Sequence, residues 1–271
     1  MNTLAPLVQA AVLLQPAARL GWVLIDMREA ADYQAGHIPG ARQLDFSDIV
    51  AERPPVAGLL PDPVRFAARM RELGIDAHAR VLAYDDCGGL KACRLLWTLG
   101  AYGVSTTALL DGGWQSWIEA GGAVETLSPA PTPAHGPALS YLGRGVRDAQ
   151  AIRSYLGRPD RVLLDARSPE EYSGEDRRSR HGGHIPGAVN YEWSRALQGG
   201  PVPRFRPLDP LRQELALLGV TPDKEVIAYC QTHRRSCVSV LMLRALGFTH
   251  VYGYPGAWSD WGNRDDLPRQ P

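Results

Sequence analysis

The sequence predicts an α/β protein built from two copies of one domain, each a parallel sheet with helices on both faces. Three observations support this: a motif that recurs in the second half, short apolar runs that alternate with amphipathic helical stretches, and a proline-rich segment between the halves. The 271 residues are enough for two ordinary domains.

The clearest marker of the repeat is Gly-His-Ile-Pro-Gly-Ala, found at residues 36–41 and again at 183–188. Four further pairs of segments follow the same order: 23–28 with 162–167, 31–33 with 170–172, 81–84 with 226–229, and the paired tryptophans of 112–117 with those of 255–261. Five markers in one order make chance implausible, and the long period indicates a whole domain.

The segment Ser128–Pro137 carries alternating prolines, which favour extended backbone and break helices, so it is typical of a linker. We therefore predict one domain over residues 1–125, a linker over 126–147 and a second domain over 148–271.

Within the first copy, each element follows from its local pattern. Strands are predicted at Val23–Ile25, Val81–Tyr84 and Ala108–Leu110, and helices at Val64–Leu73 and Arg94–Leu99. The glycines and proline around His37 and His184 indicate turns, so these histidines are expected to bond locally, and the paired tryptophans to pack the last helix on the sheet.

Cys230 is the candidate nucleophile. It follows the apolar run Val226–Tyr229 and precedes a helical pattern that starts near Cys237, so it lies on a strand-to-helix turn. Ligands of open parallel sheets bind at such strand ends. The turn's N–H groups, the helix N-terminus and the basic residues that follow favour thiolate and should lower the pKa of Cys230. Burial as an ordinary core cysteine is disfavoured, because two adjacent arginines would be costly to bury unpaired.

The segment Cys-Gln-Thr-His-Arg-Arg-Ser resembles the active-site loop of rhodaneses, closest to a bacterial two-domain type with Cys-Gln-Thr-His-x-Arg-Ser. With the repeat, the resemblance covers nearly the whole chain and implies tandem rhodanese-like domains. It implies that Cys230 carries a persulfide and that Arg235 is the main anion partner. The rest of the loop would form a cradle around this persulfide, made of Gln231, Thr232, His233, Arg234 and Ser236.

The implied activity is that of a thiosulfate sulfurtransferase. Sulfur would pass from a small anionic donor to Cys230 and then to cyanide in an assay, or to a thiol or protein in the cell. No metal or organic cofactor is implied. The formal net charge of zero gives no reason to expect nucleic acid or an acidic membrane as a partner.

The first copy is expected to be inactive, because Asp85 stands where the second copy has Cys230. Its loop is acidic, which would repel an anionic donor, and two-domain rhodaneses typically have aspartate there. Cys87 lacks basic neighbours and is expected to be unreactive. Cys93 and Cys237 fall on predicted helices and are expected to be core residues, with Cys237 a weak candidate for a resolving thiol.

Three alternatives stay open. Phosphatases and arsenate reductases of related fold separate cysteine and arginine by five residues, whereas four separate Cys230 from Arg235, which predicts a smaller cup. A 3-mercaptopyruvate sulfurtransferase would usually have a small, glycine-containing loop, unlike this bulky basic one. A binding module without turnover is disfavoured by the intact nucleophile.

One position departs from the mammalian type, in which an arginine that helps to bind the donor precedes the tyrosine matching Tyr172. This chain has Glu171 there. The second copy also has an insertion before Gly183 that contains Arg177, Arg178, Arg180 and His181. These residues could supply the missing charge or form a solvated basic loop.

Composition indicates a globular protein, with 45% hydrophobic and 21% charged residues. The first residues lack a basic region, and the apolar stretch that follows is interrupted, so a secretory signal is not predicted. No window approaches a transmembrane span, and four cysteines are too few for a disulfide scaffold. We therefore expect a cytoplasmic protein.

Overall fold

The computed structural model describes residues 6–130 and 132–271, and spatial contacts divide the chain into two compact units. Unit 1 contains the described residues up to 50, residues 61–144 and residues 198–205; unit 2 contains residues 51–60, 145–197 and 206–271. Each unit thus combines the body of one repeat with a short segment of the other. The boundaries at residues 125 and 148 stay a prediction, and the repeat pattern gives no indication of the exchanged segments.

The first repeat supplies seven strands and six helices in the described part of the chain. The strands are β1 (Leu7–Val8), β2 (Trp22–Asp26), β3 (Arg42–Gln43), β4 (Ala51–Arg53), β5 (Val56–Leu59), β6 (Arg80–Tyr84) and β7 (Thr106–Leu110). The helices are α1 (Ala10–Leu13), α2 (Pro16–Arg19), α3 (Ala30–Ala35), α4 (Pro63–Glu72), α5 (Leu90–Ala101) and α6 (Gly113–Glu119). A 3₁₀ turn covers Phe46–Ile49.

The second repeat has four strands, β8 (Arg161–Asp165), β9 (Val189–Asn190), β10 (Glu225–Tyr229) and β11 (Val251–Gly253). Its helices are α7 (Ala149–Tyr155), α8 (Pro169–Ser173), α9 (Leu208–Leu217), α10 (Arg235–Ala245) and α11 (Ala257–Trp261), with a 3₁₀ turn at Trp193–Ala196. Within the described ranges, no helix combines the length and the apolar composition needed to cross a bilayer.

Unit 1 contains a five-stranded sheet of order β1-β7-β6-β2-β3, in which every neighbouring pair is parallel. β6 lies in the middle and is apolar from Val81 to Tyr84, and all four of these side chains are buried. Such a continuous buried run is typical of a parallel strand covered on both faces. The strands and helices predicted from the sequence of this copy are confirmed.

Unit 2 contains a four-stranded parallel sheet of order β11-β10-β8-β9. β10 lies between β11 and β8, and its residues from Val226 to Tyr229 are fully buried. Ile227 and Tyr229 pack in one core cluster with Trp258 and Trp261 of α11. The predicted class, one parallel α/β sheet for each copy, is confirmed.

The repeated sequence markers form one buried network in each repeat. Arg167 forms an ion pair of 2.6 Å with Asp165, donates to the carbonyl oxygen of Gly183 at 2.8 Å, and lies over the ring of Trp258. The first repeat makes the same contacts with Asp26, Arg28, Gly36 and Trp114. Removing one partner of such a buried ion pair leaves the other charge unpaired and strongly destabilises the fold, so each charge requires the other.

His37 and His184 are bound locally, as the sequence predicts. Nδ1 of His184 lies 3.0 Å from the carbonyl oxygen of Tyr172, and the two rings stack. His37 makes the same two contacts with Tyr33. Both histidines therefore brace the turn that follows the helix.

Candidate active site

Cys230 lies directly after β10, and the turn that it begins ends where α10 starts at Arg235. The thiol is free and the residue is only 1% exposed. His233, in the middle of the turn, has φ of +54° and is fully buried. A non-glycine residue with positive φ is uncommon and costs free energy, so the surroundings hold this turn in one shape.

Several groups around the sulfur stabilise its ionised form. Burial opposes ionisation, but the charge of Arg235, the hydroxyl and N–H of Ser236 and the N–H of Thr232 outweigh it, so the pKa of Cys230 lies below its ordinary value. This agrees with the direction expected from the sequence. A lowered pKa favours the thiolate, which is a nucleophile that needs no base.

The hydroxyl of Ser236 also contacts Nδ1 of His233 at 2.7 Å. A serine hydroxyl has one proton, and when that proton is donated to the sulfur the oxygen must accept from its other neighbour. His233 Nδ1 is then the donor. The buried imidazole thus contacts the hydroxyl that lies beside the Cys230 sulfur.

Arg235 is held by Glu171. Its two terminal nitrogens lie 2.5 and 2.7 Å from the two carboxylate oxygens of Glu171. Glu171 is 1% exposed and closes a capping box with Ser168 at the start of α8. Burial raises the pKa of this carboxyl, but the hydrogen bonds and the charge of Arg235 lower it by more than burial raises it. The pKa of Glu171 therefore lies below its usual range. Such a bidentate pair fixes a guanidinium in position and orientation.

The other predicted cradle residues differ in their surroundings. Nε2 of Gln231 donates to Ser179 Oγ at 3.0 Å and approaches the carbonyl oxygen of Arg178 at 3.3 Å. Arg234 is exposed and immediately precedes α10. The structure thus brings Thr232, Arg235 and Ser236 to the sulfur. The roles assigned to the loop residues stay predictions.

The basic insertion before Gly183 lies beside this loop, but most of its charge is matched by acids. Arg180 and His181 both contact Asp265, at 2.7 and 2.9 Å, and Arg178 contacts Asp176 at 2.6 Å. Exposed pairs of this kind contribute little to stability, yet they reduce the positive potential that the insertion offers to an anion.

Sequence reasoning treats Glu171 only as a departure and does not identify its contact with Arg235. The pattern Ser-x-x-Glu at residues 168–171 signals a capping box but gives no information about a partner on α10. It also misses the contact of α11 with the turn, in which the N–H of Trp258 donates to the carbonyl oxygen of Cys230 at 3.0 Å and that of Ser259 to the carbonyl oxygen of Gln231 at 2.9 Å.

The matching turn of unit 1 is filled by Asp85. Its carboxylate oxygens accept four backbone N–H groups at 2.8 to 3.1 Å, from Cys87, Gly89, Lys91 and Ala92. Burial and then the charge of Asp85 raise the pKa of Cys87 to about 12. The thiol next to this turn is therefore protonated at neutral pH, which supports the prediction that it is unreactive.

The two helical cysteines are core residues, as the sequence predicts. Cys93 on α5 and Cys237 on α10 are 2% and 1% exposed. The thiol of Cys237 donates to the carbonyl oxygen of His233 at 3.0 Å.

Known proteins resemble this chain over most of its length. The sequence matches the rhodanese-like domain over two stretches, residues 9–120 and 148–264. The thiosulfate sulfurtransferase of Azotobacter vinelandii is 40% identical over 247 residues, which are 91% of this chain and 90% of that protein. The 3-mercaptopyruvate sulfurtransferase of Escherichia coli K12 is 32% identical over 254 residues, or 91% of this chain and 87% of that protein.

Among solved structures, an anaerobic ergothioneine biosynthesis enzyme from Chlorobium limicola superposes with a TM-score of 0.86. The match covers 99% of this chain and 71% of that chain at 24% identity, so it shows the shared fold alone. The two stretches matched by the family coincide with the two copies detected in the sequence. The chain therefore belongs to the rhodanese-like family, with one such domain in each repeat.

Proposed function

We propose that this protein is a sulfurtransferase that moves the sulfane sulfur of thiosulfate to a nucleophilic acceptor through a persulfide on Cys230. The observation that carries the proposal is the buried Cys230 thiol, whose pKa is lowered by Arg235, Ser236 and the N–H of Thr232. The 40% sequence identity to a thiosulfate sulfurtransferase, over about nine tenths of both chains, supports thiosulfate as the sulfur donor.

In the first half-reaction, the Cys230 thiolate attacks the outer sulfur of thiosulfate. A bond forms between Sγ and that sulfur, the S–S bond of thiosulfate breaks, and its electron pair leaves with sulfite. No proton is transferred, so no general base is required. Arg235 and the N–H groups of the turn compensate the negative charge of the attacking sulfur and then of the persulfide.

In the second half-reaction, an acceptor attacks the outer sulfur of the persulfide. Cyanide gives thiocyanate, and a thiolate gives a new persulfide on the acceptor. The bonding pair returns to Sγ, which restores the Cys230 thiolate. Because the donor product leaves before the acceptor reacts, the kinetics are expected to be ping-pong.

A second candidate donor is 3-mercaptopyruvate, which the 32% identical relative from E. coli is named for. The proposed thiosulfate specificity is favoured by the bulky, basic residues of the turn and by the higher identity of the thiosulfate enzyme. A binding module without turnover would have no use for a thiol whose pKa is lowered at the end of β10.

The deciding experiment measures thiocyanate formation from cyanide with thiosulfate and, separately, with 3-mercaptopyruvate. We expect a kcat/KM for thiosulfate well above that for 3-mercaptopyruvate. Intact-mass analysis after incubation with thiosulfate should show the mass of one sulfur atom added per chain, located in the Cys230 peptide. A preference for 3-mercaptopyruvate would reverse the donor assignment. A lack of turnover with both donors would refute the proposed sulfurtransferase activity.

A further inference from the structure

Residues 51–60 belong to unit 2 although their sequence lies in the first repeat. β4 and β5 of this segment pair antiparallel, Ala51 with Leu59 and Arg53 with Val56. We call residues 51–60 the exchanged arm. Because unit 2 also contains the Cys230 turn, the arm and the turn are parts of one compact body.

The exchanged arm is fastened to the start of α11 through Ser259. Ser259 Oγ accepts the N–H of Ala57 at 3.0 Å and lies 2.9 Å from the carbonyl oxygen of Ala57. The N–H of Gly256 approaches the carbonyl oxygen of Gly58 at 3.4 Å. α11 is the helix whose first N–H groups hold the Cys230 turn, so Ser259 joins the arm to the turn.

Gly58 also contacts the turn directly. Its φ is +73°, and a Cβ added to it would lie 2.0 Å from the carbonyl oxygen of Thr232 and 2.7 Å from the carbonyl carbon. The clash would be with backbone, which cannot rotate away as a flexible side chain can. Only glycine therefore allows the arm to pack against the Thr232 carbonyl.

These contacts fix three successive carbonyl groups of the turn from one side. α11 holds those of Cys230 and Gln231, at 3.0 and 2.9 Å, and Gly58 packs on that of Thr232. In a trans peptide the C=O and N–H groups point in opposite directions. The N–H of Thr232 and the carbonyl of Gln231 belong to the same peptide group. Because Ser259 holds this carbonyl on the side of α11, the N–H points the opposite way, toward the Cys230 sulfur.

We propose that the exchanged arm is a positioning element of the persulfide cradle, with Gly58 as its positioning residue. The inference rests on the proposed role of Cys230. It gives the first repeat, whose own turn carries Asp85, a direct part in the reaction: its arm maintains the arrangement of N–H groups around the Cys230 sulfur. Catalytic N–H donors are effective only when held in place before the reaction.

The test compares Gly58→Ala with Gly187→Ala. Gly187 has φ of +76°, and an added Cβ there would meet nothing within 4 Å, so the control introduces the same backbone strain without the clash. The readouts are the pH dependence of Cys230 alkylation by iodoacetamide, followed by peptide mass analysis, and kcat/KM with thiosulfate. We expect Gly58→Ala to raise the alkylation pKa and lower kcat/KM roughly tenfold to a hundredfold. Gly187→Ala should change neither.

Ser259→Ala is the second variant, and it decides the question if Gly58→Ala does not fold by circular dichroism. This variant removes the hydroxyl that contacts Ala57 but keeps the backbone N–H that donates to the Gln231 carbonyl. It should raise the alkylation pKa, as Gly58→Ala does. The proposal is overturned if the folded variants alkylate and turn over as Gly187→Ala does. Alkylation requires no sulfur donor, so this result is separate from failure of the proposed function, which Cys230→Ala tests.

Discussion

Arg235 and Glu171 form a two-pronged ion pair, with nitrogen–oxygen distances of 2.5 and 2.7 Å, immediately beside the candidate nucleophile. The acid that departs from the mammalian pattern therefore does not face an incoming donor as an unmatched charge. It holds in place the guanidinium whose charge lowers the pKa of Cys230. Glu171 reduces the net positive charge of the site, but it keeps Arg235 in one orientation.

Glu171→Gln should alter the acid stability of the protein. The folded pKa of Glu171 lies below its unfolded value, so its ion pair stabilises the fold above the unfolded pKa of about 4.3. This contribution is lost as the pH falls through the folded pKa. The difference in free energy of unfolding between wild type and variant should therefore shrink below about pH 4. The exposed Glu175→Gln is the control, and a pH-independent difference for Glu171→Gln would contradict the assignment.

Cys230→Ala should abolish thiocyanate formation, whereas Cys87→Ala, Cys93→Ala and Cys237→Ala should largely retain it. A neighbouring cation and turn N–H groups lower the pKa of Cys230, whereas the pKa of Cys87 is raised. The four variants are compared in the thiosulfate and cyanide assay, with folding checked by circular dichroism. Persistent turnover in Cys230→Ala would remove the basis of the proposed mechanism.

Arg235→Ala should reduce kcat/KM much more than Arg234→Ala. Arg235 acts on the sulfur and is held by Glu171, whereas Arg234 is exposed. Losing a charge-assisted donor to a reacting anion costs about 2–4 kcal/mol, or roughly a hundredfold or more in rate. Steady-state kinetics of both variants provide the measurement. Equal, mild losses would mean that backbone N–H groups suffice.

Ser236→Ala should raise the pKa of Cys230, because the hydroxyl that donates to the ionised sulfur is lost. The pH profile of Cys230 alkylation should move to higher pH, and the rate at pH 7 should fall roughly tenfold, as expected for one hydrogen bond to a charged group. Ser239→Ala, another buried serine of α10, is the matched control. An unchanged profile in Ser236→Ala would show that the hydroxyl does not act on the sulfur.

Asp85→Cys alone should not create a second active site. The carboxylate now satisfies four N–H groups, and the substituted thiol would lie beside Asp86 with no arginine in its turn. Thiocyanate production is measured in a Cys230→Ala background. Transplanting Cys-Gln-Thr-His-Arg-Arg over residues 85–90 should recover some transfer if the turn adopts the same shape. Robust activity from Asp85→Cys alone would show that the fold, and not the charge of the turn, activates the cysteine.

The sequence predicts most of the fold because the relevant signals are local or repeated. The apolar run of β10, the helical pattern of α10 and the duplicated Gly-His-Ile-Pro-Gly-Ala segments can each be identified without a partner. The contact of Glu171 with Arg235 cannot, since 64 residues separate the two. Gly58 cannot be identified either, since nothing in the sequence around it indicates that the arm packs on Thr232.

The carboxylate of Asp85 is covalently attached to the turn of unit 1 and accepts the N–H groups of that turn without any ligand. In the matching turn of unit 2, the proposed mechanism instead converts the Cys230 sulfur between thiolate and persulfide. One polypeptide thus contains two forms of the same turn, one closed on a fixed carboxylate and one built around the Cys230 sulfur. The turn of unit 1 shows, without any substrate, how the backbone N–H groups of such a turn surround a carboxylate.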